Sequence, residues 1–344
     1  MKRLHLFLIL LALASSGWAQ TKYAERLDSV VMSDSGNPSI KFWKYELGYN
    51  AKGQVEQVLY SRWDEGGWSL RTKDEYFYDE QGRDTLIAVF SWKRGQWNLR
   101  HKDFYTYDNR GERLPERSEI YGYDDGKMFR EIRYDYVYNE QGKQVSSCQY
   151  LREIGTMSEE WKIEKTVQEE YDAKGNRIKE LYEYPTGQTT KKGEITMCYD
   201  EEGRLTAEID STYIVQEGGR VWHKQEYSYN GQQLNVMKYT TGTNTSRQSL
   251  DECLFDPQGN LSQELHYAER EGELHHLGSE SYLYDLTKEG ASIMGYDLLP
   301  DILGKGDDHF HHKLMMTTGY WFKEYLRDNS EDARRETRLF YSTL

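Results

Sequence analysis

Few residues of this chain are of the kinds that build catalytic sites, membrane helices or disulfide frameworks. It has three cysteines, Cys148, Cys198 and Cys253, and they lie far apart in 344 residues. An odd number cannot form a closed disulfide set. One bridge is open to them in an oxidising compartment, but the reading favoured is partly buried free thiols acting as small apolar side chains. Basic residues are in deficit, 44 against 58 acids. That balance excludes nucleic acid and anionic lipid as expected partners, because phosphate binding needs a surplus of Lys and Arg. Long apolar runs are missing apart from Leu4–Ala14, so no transmembrane helix is expected.

The N-terminal run has its own explanation. Met1-Lys2-Arg3 is positive, Leu4 to Ala14 is apolar apart from His5, and Gly17 and Ala19 are small residues where a signal peptidase reads. Residues 1–19 are therefore expected to be a signal peptide cleaved after Ala19. No cysteine follows the cut to carry a lipid anchor. Losing Lys2 and Arg3 leaves 42 basic residues against 58 acids, a mature net charge of −16. Export follows, to the periplasm, the cell surface or the medium.

Enzymatic motifs are also lacking. The chain has no Gly-x-Ser-x-Gly, no His-Glu-x-x-His and no phosphate loop, and no cofactor is implied. Asp307-Asp308-His309-Phe310-His311-His312 gathers metal-ligand types, with His275-His276 as a second cluster. Zinc sites draw spaced ligands from defined elements, so His309, His311 and His312 are weak metal candidates and a solvated loop is the favoured reading. The chain is expected not to be an enzyme.

Aromatics, by contrast, abound: 29 Tyr and nine Trp beside five Pro, a balance that suits pleated, half-exposed strands. They recur in register. Tyr49-Asn50-Ala51-Lys52-Gly53, Tyr78-Asp79-Glu80-Gln81-Gly82, Tyr107-Asp108-Asn109-Arg110-Gly111 and Tyr138-Asn139-Glu140-Gln141-Gly142 share one pattern. It continues at Tyr171-Asp172 with Gly175, Tyr199-Asp200 with Gly203, Tyr229-Asn230-Gly231, Phe255-Asp256 with Gly259, and a degenerate Tyr284-Asp285. From Gly53 to Gly259 the glycines are spaced by 29, 29, 31, 33, 28, 28 and 28. Such a period means stacked supersecondary units that cannot bury an apolar face alone.

The motif is a hairpin turn. The Asp or Asn side chain accepts from backbone amides two residues on, and the glycine supplies a positive φ. Asp79, Gly82, Asp108, Gly111, Asp172, Gly175, Asp200 and Gly203 are its structural residues. A second glycine turn lies midway, as at Glu65-Gly66-Gly67-Trp68 and Arg94-Gly95-Gln96-Trp97. Trp68 precedes Tyr78 by ten positions, as Trp97 precedes Tyr107. Ten is even, which predicts that both project from one strand face. Alternation then puts an aromatic ladder on one face and charge on the other.

About nine periods of two strands give an all-β antiparallel meander of about 16–18 strands. A flat sheet so wide twists, so a curled or spiralling sheet is expected, its Trp/Tyr face inward. The repeat domain spans 20–289, and 290–344 is a C-terminal capping segment with a final strand pair that covers the open edge.

The Tyr-Asp-x-x-Gly turns, as at Tyr78 to Arg83, Tyr171 to Arg177 and Tyr199 to Leu205, resemble the YD repeats of Rhs-type and teneurin-type proteins, with a longer period here. The resemblance covers roughly residues 40–290. It implies an extended spiralling β-sheet that serves as scaffold, encapsulation or adhesion module and does not catalyse.

Two functions fit. The first is a structural or interaction module, scaffold or adhesin-like, for a protein or cell-envelope partner, since repeats make extended faces. The alternative is carbohydrate binding by exposed rings, with Trp68, Trp97, Trp161 and Trp222 as stacking candidates. Their predicted position on the apolar ladder favours core packing.

Overall fold

The computed structural model describes residues 23–37, 39–107, 117–122, 126–186, 189–214, 219–243, 248–303, 310–321 and 333–344. The expected leader at 1–19, the turn from Asp108 to Gly111 and His309 lie outside the described residues. The chain is all-β.

The first strands are β1 (Glu25–Asp34), β2 (Lys41–Tyr49), β3 (Val55–Asp64), β4 (Gly67–Tyr78), β5 (Asp84–Lys93) and β6 (Gln96–Phe104). Next come β7 (Arg117–Tyr121), β8 (Met128–Tyr138), β9 (Gln144–Glu153), β10 (Lys162–Tyr171), β11 (Arg177–Thr186) and β12 (Thr189–Tyr199). Then follow β13 (Leu205–Ile214), β14 (Gly219–Asn230), β15 (Gln233–Thr243), β16 (Ser249–Phe255), β17 (Leu261–Arg270) and β18 (Glu273–Glu289). The two-residue β19 (Ile293–Met294), a helical turn α1 (Leu299–Leu303), β20 (His312–Trp321) and β21 (Ala333–Thr343) complete the chain.

Each strand from β1 to β18 pairs antiparallel with the next, β18 pairs with β20, and β20 with β21. β21 then pairs antiparallel with β1 from Glu25↔Thr343 to Asp34↔Arg335. This overturns the curled or spiralling sheet expected from the sequence. The meander closes into a barrel of twenty strands: in the final strand pair β20 lies along the edge of β18, and β21 joins the first strand. Closure removes both unpaired edges, and β19 adds a short parallel bridge to β1.

The turn motif is built as its composition predicts. Asp79 Oδ1 accepts from the amides of Gln81 and Arg83, both at 2.9 Å. Asp172 accepts likewise from Lys174 and Asn176, at 2.8 and 2.9 Å. Gly82 has φ +83°, a left-handed conformation that glycine adopts without strain.

The tyrosine does more than end a strand. Tyr78 Oη donates to the Val55 carbonyl at 2.6 Å, Tyr171 to Gln144 at 2.8 Å, Tyr199 to Arg177 at 2.8 Å and Tyr229 to Leu205 at 2.7 Å. Each acceptor lies two residues past the preceding turn position of Gly53, Gly142, Gly175 or Gly203, so every such tyrosine ties its own turn to the turn before, across the strand pair between them. The same bolt recurs on both flanks of the seam: Tyr284 of β18 to Leu261 of β17 at 2.8 Å, Tyr341 of β21 to Leu314 of β20 at 2.6 Å and Tyr49 of β2 to Leu27 of β1 at 2.5 Å. At the seam Glu25 also pairs with Lys288 and with Lys313, the latter at 2.6 Å.

The wall has two distinct faces. One row of directly paired residues runs Leu47, Val58, Asp74, Val89, His101 and Ile120. The opposite face runs Glu46, Leu59, Lys73, Phe90 and Leu99. Val30, Val58, Val167, Tyr182, Thr212 and Leu339, all on the first face, are buried. The segment from Gly290 to Leu303 also packs on that face: Tyr296 and Leu299, with Phe310, cluster against Trp43, Tyr45, Leu47, Tyr282, Tyr284 and Tyr341. One short segment touching strands on both sides of the seam lies within the ring, which makes this face the inner one. Burial there holds the carboxyls of Asp74 and Glu208 above their ordinary range. Away from that plug and a small cluster of Cys253, Phe255 and Leu261, single inner residues such as Val58 and Val167 are buried while others such as Tyr60, Tyr76 and Val89 stay half-buried. A ring of twenty strands is too wide for side chains to fill.

Candidate functional site on the outer wall

The tyrosine turns and both described chain ends share one rim. The midway turns make the other, and their geometry sets the tryptophans. Glu65 and Gly66 have φ +49° and +85°, Arg94 and Gly95 +52° and +79°, which is the two-residue hairpin turn whose twist matches its strands. Just inside each turn two tryptophans face one another. Trp63 pairs directly with Trp68 and Trp92 with Trp97, edge to face, with ring centroids 5.1 and 4.9 Å apart.

Here the even-spacing prediction fails, for a definite reason. Tyr60 pairs with Thr72 but Ser61 pairs with Leu70, leaving Arg71 as an extra residue. The next repeat has the same bulge at Arg100, between His101↔Val89 and Leu99↔Phe90. One extra residue reverses the side-chain alternation. Asp74 and Tyr76 therefore face inward while Trp68 faces outward, and His101 faces inward while Trp97 faces outward. Trp161 stands outward too, beside Arg133 and Arg152 of the outer face, and Trp222 packs outward over Gly242. The four tryptophans expected on the inner aromatic ladder belong to the other face, and all are half-buried.

Cations lie over three of these rings. Lys44 Nζ is 5.1 Å from the Trp68 centroid, Lys73 5.2 Å from Trp97, and the Arg133 and Arg152 guanidinium carbons 5.2 and 4.8 Å from Trp161. Those cations belong to ion pairs at mid-height: Lys44–Glu46 at 2.7 Å, Lys73–Glu75 at 2.6 Å, Arg133–Asp135 at 3.2 Å and Arg152–Glu131. Lys224–Glu226 at 2.6 Å and Arg338–Glu336 at 2.5 Å continue them around the wall. Nearer the rims the outer face exposes Phe77, Phe129, Val137, Ile163, Tyr213, Leu283 and Phe340. The outer wall thus carries ion pairs at its waist, set among apolar residues such as Leu59, Phe90 and Leu99, where a lipid-facing barrel has an unbroken apolar band.

Trp63 and Trp92 escaped the sequence reading. Their signal was the recurrence of Trp-x4-Trp across a residue-glycine pair. The weak metal candidates are scattered among other roles. The backbone amide of His312 donates to Asn260 Oδ1 at 2.8 Å and its Nδ1 lies 3.2 Å from the same atom, while His311 lies against Gly259. None of the three cysteines is joined in a disulfide; Cys253 is buried and Cys198 exposed. No helix among the described residues is long and apolar enough to cross a membrane.

No protein-family model and no curated protein matches this chain. Among solved structures, a porin-like protein from Bacteroides uniformis is similar over 92% of this chain and 98% of its own, at 9% identity and a TM-score of 0.34. A protein of unknown function from Bacteroides fragilis is similar over 36% of this chain and 89% of its own, at 11% identity and 0.28. TcdB2-TccC3 is similar over 87% of this chain and 16% of its own, at 11% identity and 0.26. Likeness this distant transfers no function.

Proposed function

We propose that this chain is an exported, non-enzymatic barrel that acts as a scaffold or adhesin-like interaction module of the cell envelope, holding a protein partner on its outer wall. The observation that carries the reading is the outer face itself. Rows of Lys–Glu and Arg–Glu pairs at mid-height suit water, since a charge facing lipid at the midplane costs about 2–4 kcal/mol. Beside them stand half-buried tryptophans with stacked Lys and Arg, the residue types enriched at the anchor points of protein interfaces. The bolted repeats supply a stiff support for such a surface.

Glycan stacking is the second reading, favoured by the outward position of Trp68, Trp97, Trp161 and Trp222. Against it, three of the rings already carry a cation over a face that a sugar would need.

The test is photo-crosslinking in the producing cells, with the reactive residue at Trp68 or Trp97 and, as control, at the inward Val89. A protein adduct at the outer positions alone is expected. Its absence, or single-channel conductance by the mature protein in a planar bilayer, would refute the proposal. A polysaccharide-induced shift in emission that disappears in Trp68→Ala and Trp97→Ala would replace it with the glycan reading.

A further inference from the structure

On the inner wall, β17 and β18 bring together three side chains that the sequence separates. Glu264 and Glu280 are direct cross-strand partners, and His266 follows two residues after Glu264 on the same face. Candidate ligand atoms of all three lie within 4.8 Å of one another. We infer that Glu264, His266 and Glu280 form a site for one first-row divalent metal ion, with its remaining coordination positions open to the barrel interior.

The surroundings fit a metal site beyond the ligands themselves. Asp251 Oδ1 lies 2.7 Å from His266 Nδ1. With the proton on Nδ1, the carboxylate fixes ring and tautomer and leaves Nε2 as the lone-pair nitrogen, as is usual for metal-bound imidazole. Tyr282 Oη donates to Glu264 Oε2 at 2.7 Å and to Glu280 Oε2 at 3.1 Å, spanning both carboxylates. Cys253 Sγ lies 3.6 Å from the other oxygen of Glu264.

Electrostatics points the same way. Like charges directly opposite on neighbouring strands repel, and Glu264 is only 7% exposed. A dication between the two carboxylates turns that repulsion into attraction. One imidazole and two carboxylates suit Zn²⁺, Mn²⁺ or Fe²⁺, whereas Ca²⁺ needs about 6–8 oxygens. Two or three coordination positions would be left to water.

The experiment uses the mature chain, stripped with a chelator and titrated with Zn²⁺ and Co²⁺. One equivalent should bind saturably. Co²⁺ should give visible d–d absorption without a thiolate charge-transfer band, and excess Zn²⁺ should raise Tm by several degrees. His266→Gln and Glu280→Gln should each weaken binding at least tenfold, while His311→Ala/His312→Ala should leave it unchanged. X-ray absorption of the zinc-loaded wild type needs no variant to fold, and should show one imidazole in an otherwise oxygen shell. No saturable uptake, uptake lost in the His311/His312 variant but kept in His266→Gln, or a shell with sulfur or several imidazoles would overturn the inference.

Discussion

Gly193 provides a sharp test of how the wall is packed. It lies on β12 directly opposite Tyr182 of β11, and the Tyr182 ring covers it. A Cβ built at Gly193 falls well inside contact distance of the Tyr182 Cζ, Cε2 and hydroxyl oxygen. The ring is 9% exposed and its hydroxyl meets Asp210 at 2.7 Å and Thr212 at 2.6 Å. Gly193→Ala must therefore expel the ring. Two hydroxyl hydrogen bonds are worth about 0.5–1.5 kcal/mol each, and ring burial about 1.5–3 kcal/mol. Removing a strand glycine returns about 0.5–1 kcal/mol. The net cost is about 2–4 kcal/mol. The decisive measurement is a double-mutant cycle by urea unfolding, followed by circular dichroism. Tyr182→Ala alone should cost about 3–5 kcal/mol. With the ring gone Gly193→Ala should turn neutral or slightly stabilising, so the two changes couple by about 3 kcal/mol. Additive costs, or a Gly193→Ala protein as stable as wild type, would refute ring-over-glycine packing.

Three further outcomes follow from the turns and the seam. Tyr78→Phe removes one bolt and should lower stability by about 1 kcal/mol in urea, and Tyr341→Phe at the seam should cost the same because the bond is the same. Gly82→Val should lose about 1–3 kcal/mol, because a β-branched residue resists the φ of +83°, and an unchanged melting point would contradict the turn. At the seam, hydrogen bonds from Lys288 and then Lys313 hold the Glu25 carboxyl below its ordinary 4.5. Its stabilisation is then complete above about pH 4.5 and is lost as pH falls through the lowered folded value. Glu25→Gln should cost about 1–3 kcal/mol at pH 7 and leave a shallower decline between pH 5 and 3, measured as urea midpoints against pH.

What the sequence conveyed, and what it hid, divide along local and non-local lines. The Tyr-Asp-x-x-Gly turn was legible because its parts act within five residues: Asp79 bonds amides at positions 81 and 83, and Gly82 turns the chain. Parity arguments mistake the wall's faces because they assume an unbroken ladder, and the bulges at Arg71 and Arg100, each within Trp-x-Leu-Arg-x-Lys-Asp, have no glycine to announce them. Each moves a tryptophan from the predicted inner face to the outer one. The inner-wall cluster was hidden differently. Glu264 and Glu280 are ordinary members of a set of 58 acids, and only the β17–β18 register makes them neighbours.

Closure was the least legible feature, because β1 and β21 come from opposite ends of the chain. What holds the seam is separate from the tyrosine bolts. Each tyrosine ties the two strands of one pair, Tyr49 joining β2 to β1 and Tyr341 joining β21 to β20, so an open sheet would keep both bonds. The seam adds contacts of its own: the β21–β1 ladder, Glu25 with Lys288 and Lys313, and a second Tyr49 bond to the Met294 carbonyl at 3.2 Å. The segment between β18 and β20 then buries Leu27, Val30 and Leu339 of the joined strands beneath Tyr296 and Leu299. The backbone ladder and the Glu25 ion pairs join the two edges, and the apolar plug makes their meeting stable. A chain ending before β20 would lose the two strands that close the ring, leaving β1 and β18 as open strands that seek a partner in a second copy.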